Sequence, residues 1–74
     1  MRKVTVYYTE SNSRLEMKRA RRVKMPVTDE MYEAQDWTAI VKRFLSYIRT
    51  TGRVMRDSET TVTSIKIGNA HLRG

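Results

Sequence analysis

Apolar and polar side chains alternate from Val4 to Thr9: Val4, Val6 and Tyr8 share one parity, Thr5, Tyr7 and Thr9 the other. A period of two built from β-branched and aromatic residues predicts a half-buried strand. The polar stretch from Glu10 to Arg14 then predicts a hairpin turn, because asparagine tolerates positive φ and serine bonds its own backbone. A two-residue loop at Ser11-Asn12 would set Tyr8 opposite Leu15 and Val6 opposite Met17, apolar on apolar. Carried further, that register puts Arg19 opposite Val4 and the alternation fails. Arg19, Arg21 and Arg22 occupy both parities, and a bulge that brought Ala20 inward would bring Arg22 with it. Residues 19–22 therefore have no good inward position, and the expectation is a segment that projects beyond the sheet or lies at its edge.

Pro26 has no N–H for a ladder and ends this second strand. Thr28 follows as an N-cap, with Asp29, Glu30 and Glu33 suited to the positive end of a helix dipole. Trp37, Ile40, Val41, Phe44, Leu45 and Ile48 recur at spacings of three and four, an apolar stripe at helical period, and Gly52 supplies the stop. Glu33 falls on that stripe, so the first turns lie clear of the sheet or a break occurs near Gln35-Asp36, with Asp36 capping a second start. Farther on, Thr61, Thr63, Ile65 and Ile67 share one parity and predict a third strand. Gly68-Asn69 predicts a tight turn into a short return strand that sets Ile65 opposite Leu72. The expected fold is a two-layer α+β single domain over residues 1–74, of order β-β-α-β with an optional short fourth strand. One amphipathic helix covers one face of a small antiparallel or mixed sheet. The other face is left uncovered, and Tyr7 is its exposed aromatic.

Charge changes the picture more than composition does. The 74 residues are 39% hydrophobic and 31% charged, which suits a small folded domain rather than a disordered chain. Net charge is +7 and unevenly spread: residues 1–27 hold eight Lys/Arg against two Glu, whereas residues 28–52 hold three against four acids. Such asymmetry concentrates potential on one surface and attracts polyanions. With no cysteine and one histidine, disulfides and a metal site are not expected. The longest aliphatic run, Ala39-Ile40-Val41, is far below the roughly 20 residues of a membrane span, and Met1 to Ser13 has no signal-peptide character. A soluble cytoplasmic protein that does not contact membrane is the expectation.

The candidate site is the segment KRARRVK, in which Lys18, Arg19, Arg21, Arg22 and Lys24 would neutralise phosphates and release counterions, with Tyr7 as a stacking platform. Guanidinium forks match paired oxygens in a way that lysine does not. The plain structural alternative is an edge strand made basic to prevent aggregation, with Tyr7 in an ordinary cross-strand contact. KRARRVK also matches a short nuclear-import pattern, though a strand would not present it in extended, accessible form. Trp37 reads as core, Met17, Met25, Met31 and Met55 as adaptable core or rim filling that at an exposed rim would suit a protein partner, and His71 as a solvated residue near the chain end. No nucleophile beside a base, carboxylate pair or glycine-rich phosphate loop stands at interpretable spacing, so neither catalysis nor a cofactor is expected. Two functions follow. One is a small nucleic-acid-binding protein, for DNA or RNA, with little sequence specificity. The other is an inhibitor or adaptor of the kind phages and mobile elements encode, docking its basic strand on an acidic protein surface. Exposed edges on a small core also make a homodimer an expectation.

Overall fold

Two paired strands of 11 residues each begin the fold: β1 (Arg2–Asn12) and β2 (Met17–Val27). The computed structural model describes residues 2–52 and 58–73. After the hairpin come α1 (Asp29–Ala34), α2 (Trp37–Thr50), β3 (Glu59–Ile67) and β4 (Ala70–Leu72). The sheet order is β2-β1-β3-β4, with every neighbouring pair antiparallel. This is the two-layer α+β architecture expected, with β2 at one edge and the short return strand β4 at the other. No helix among the described residues is long and apolar enough to cross a membrane.

The hairpin departs from the expected register. Both strands run further, Asn12 pairs with Met17, and the turn is Ser13 to Glu16. The Asn12 side-chain Oδ1 accepts from the backbone N–H groups of Arg14 at 3.0 Å and Leu15 at 3.3 Å, and Glu16 takes a left-handed φ of 49°. Leu15 is not opposite Tyr8; it sits in the turn, 58% exposed. The longer hairpin pairs Val4 with Met25 and Val6 with Val23, so three aliphatic side chains and one thioether meet where the shorter one had set Arg19 against Val4.

β3 contains a second departure. Its register slips opposite Tyr7 and Tyr8, which pair with Ser64 and Val62, leaving Thr63 as the extra residue of a β-bulge. Thr63 Oγ1 donates to the Tyr7 carbonyl at 3.0 Å. The slip reverses parity: Ile65 and Ile67 face the helix as expected, but Val62 replaces Thr61 and Thr63 beyond the bulge. Gly68, at φ +59°, makes the following turn, and a Cβ there would lie 3.2 Å from the Tyr32 hydroxyl.

The break in the helical stripe also has a local cause. Thr28 Oγ1 caps α1 by accepting from Met31 N–H, Gln35 ends it in the left-handed region, and Asp36 Oδ1 restarts the chain by accepting from Ala39 N–H. Glu33 thereby leaves the packed stripe and pairs with Arg2 at 3.6 Å. The core forms between α2 and the sheet, from Ile40, Phe44 and Ile48 against Val4, Val6, Tyr8, Val23, Met25, Val27, Ile65 and Ile67. Tyr8 and Phe44 rings meet at 4.8 Å between centroids. Trp37, Met31, Val41 and Leu45 pack at its margin. Met55 lies outside the described residues.

Candidate nucleic-acid interface

Strand parity divides the basic segment between two surfaces. Because β1 pairs its even residues with the odd residues of β2, Arg19 and Arg21 point to the helix side with Glu10 and Tyr8, and Lys18, Ala20, Arg22 and Lys24 point to the uncovered side. The sequence-based expectation that residues 19–22 have no inward position is corrected here. Arg19 and Arg21 do turn inward, because Glu10 waits on the same face of the neighbouring strand. The segment lies at the sheet edge and stays paired with β1 throughout, so it does not project beyond the sheet.

Glu10 is 0% exposed, and its Oε1 accepts from Arg19 Nε at 3.2 Å and Arg21 Nη1 at 3.4 Å. A carboxylate withdrawn from water this completely needs cationic, hydrogen-bonded company. Beside it Asn12, also buried, donates through Nδ2 to Ser58 Oγ at 3.2 Å and ties the hairpin to the approach to β3. Beyond Tyr8 the helix-side face thus changes from an apolar core to a polar, charge-compensated one. The Arg19 and Arg21 side chains keep 49% and 34% of their surface exposed, so their outer edges still meet solvent.

The uncovered face is built in rows across the strands. Arg22, Tyr7 and Ser64 form one row; Lys24, Thr5, Lys66 and His71 form the next, with Lys3 beyond it opposite Pro26. Toward the turn lie Ala20, Thr9 and Thr61, then Lys18, Ser11 and Glu59. Glu59 is the only acid among the described residues of these rows. Between Arg22, Lys24 and Lys66 the surface dips into an open hollow of about 370 Å³, floored by Thr5 and bounded by Tyr7. The His71 ring lies 6.3 Å from that of Tyr7, tilted by 33°.

Of the residues singled out from sequence, the fold brings Tyr7, Arg22 and Lys24 together, sets Lys18 apart near the turn, and takes Arg19 and Arg21 to the other side. It adds Lys3, Lys66 and His71, which sequence reasoning missed. Lys66 carried a usable signal, since it alternates with Ile65 and Ile67 and had to face away from the helix. Its place beside Lys24 depended on β3 pairing with β1, which nothing local specifies. Arg2 and Arg43 belong to the scaffold: Arg2 lies 4.6 Å over the Tyr32 ring and near Asp29, and Arg43 Nε donates to the Pro26 carbonyl at 2.8 Å. Among the described residues no group of His, Cys, Asp and Glu is placed to hold a metal ion. Comparison with protein-family models, curated proteins and solved structures gives no match.

Proposed function

We propose that this protein is a small, non-catalytic nucleic-acid-binding module that contacts phosphates through the uncovered face of its sheet, with β2 as its principal strand and little sequence specificity of its own. The observation that carries the reading is the clustering of Arg22, Lys24, Lys66 and Lys3 in neighbouring rows that contain no acidic side chain. Cations so placed are kept hydrated and mutually repelling by the fold, and a polyanion relieves that repulsion while releasing its counterions. Contacts of this kind hold a backbone and carry little base information.

Fluorescence anisotropy with labelled oligonucleotides tests it. Replacing Arg22, Lys24 and Lys66 together by Ala should weaken binding at least tenfold across unrelated sequences. The salt dependence should flatten by roughly 0.7 to 0.9 per phosphate contact removed. Unchanged affinity in that variant would sink the reading.

A second reading draws on β2 as an edge: 11 residues without a neighbouring strand on the outer side among the described residues, able to accept a strand from an acidic protein partner. Pairing of β2 with a second copy of itself is disfavoured, because antiparallel registers centred on the basic segment set like charges opposite one another. A 260/280 nm absorbance ratio typical of pure protein after low-salt purification favours the protein partner; a raised ratio favours nucleic acid.

A further inference from the structure

We propose that the uncovered face takes single-stranded rather than duplex nucleic acid, with one base stacked on Tyr7 and the backbone held by the flanking cations. This rests on the nucleic-acid reading above and specifies its substrate. The nearest neighbours of Tyr7 are mostly small: Thr5 and Thr9 precede and follow it on its face of β1, Ser64 is opposite on β3, and Ala20 lies on one diagonal of β2, while Lys24 and Lys66 stand on the diagonals toward Thr5. Arg22 alone among its cross-strand partners is long. The phenol and this guanidinium therefore form a ridge with an open hollow on each side. One hollow is the 370 Å³ depression toward Lys24 and Lys66; the other, of about 260 Å³, lies over Ala20.

A ridge of one ring and one guanidinium plane between two hollows suits unpaired bases, whose faces are available for stacking and whose edges need not be read. His71, across β3, adds a second planar ring at 6.3 Å. A duplex hides its base faces and offers edges at the bottom of a groove, which a sheet reads only with long polar side chains on its central strands. Next to Tyr7 the central strands present Thr5, Thr9, Ser64 and Thr61, which are too short for that, and their two long side chains on this face, Lys3 and Lys66, both lie toward one end of it. The long cations stand in flanking positions, where a single backbone passing over the Tyr7 ridge would meet Arg22 and Lys24 on one side and Lys66 on the other.

The test measures anisotropy of the full chain with a fluorescein-labelled 12-nucleotide single strand of mixed sequence and with the matching duplex, at equal salt. The expected result is tighter binding of the single strand by tenfold or more. Tyr7→Ala should lose about five- to a hundredfold on the single strand, the range for one stacked base, and much less on the duplex. Tyr7→Phe should keep the affinity. Tyr7→Leu keeps bulk and strand propensity without a π face and should lose affinity like Tyr7→Ala, so it serves if the alanine variant fails to fold by circular dichroism. Duplex bound as tightly as single strand, or Tyr7→Leu bound like wild type, overturns this inference and leaves the phosphate-binding reading standing. Failure to bind either oligonucleotide at about one third of physiological ionic strength overturns both.

Discussion

Odd and even positions of β2 both carry basic side chains, and these play opposite parts. Arg19 and Arg21 lean toward the helix layer and compensate the buried Glu10, whereas Arg22, the next residue along the chain, and Lys24 stand on the uncovered face beside Tyr7. The difference comes from which strand face each residue shares with its neighbour on β1. Even residues of β1 include a buried acid; odd residues are Lys3, Thr5, Tyr7, Thr9 and Ser11, all without negative charge. A cation's role here is set by its cross-strand partner, and a run of basic residues in sequence is two surfaces in space.

Breaking the inward set should produce the largest effect. Replacing Arg19 and Arg21 together by Ala takes two hydrogen-bonded cations from a carboxylate with no solvent contact. That should cost roughly 3 kcal/mol or more of folding stability, read as a lower urea midpoint. For a domain of this size such a loss is a large part of the total. Glu10→Gln is expected to cost less, about 1 to 3 kcal/mol, because the buried charge disappears and the two half-exposed guanidiniums can turn to water. A stability equal to wild type in both variants would show that the Glu10 cluster has no structural role. The outward set should behave in the reverse manner. Lys24→Ala should leave stability within about 0.5 kcal/mol while lowering the salt slope of oligonucleotide binding by roughly one phosphate contact. If Lys24→Ala instead destabilised the fold, the division by parity would be mistaken.

Much of the fold was legible because its signals are local. The alternation from Val4 to Tyr8, the stripe from Trp37 to Ile48, the restart at Asp36 and the Gly68-Asn69 turn each lie within a few residues and each formed as expected. The candidate site was legible only in part. Turn chemistry favoured a short loop at Ser11-Asn12, but the aliphatic pairs Val4 with Met25 and Val6 with Val23 form only if the hairpin is longer, and burial across the sheet outweighs a local turn preference. Both registers keep odd with even, so the core face came out right while every partner was displaced. Glu10 looked like a turn residue for the same reason, and the inward arginines could not be given a partner.

The amino-acid order by itself determined the elements, their sequence along the chain and the basic character of β2, since periodicity, caps and charge are properties of neighbouring residues. The tertiary structure alone decided which of those charges are compensated and which are displayed, because that depends on pairings between residues far apart in the chain: Glu10 with Arg19 and Arg21, and Thr5 of β1 between Lys24 and Lys66. Hydrogen-bond ladders place those partners side by side, and the one-residue bulge at Thr63 sets which side of β3 joins them.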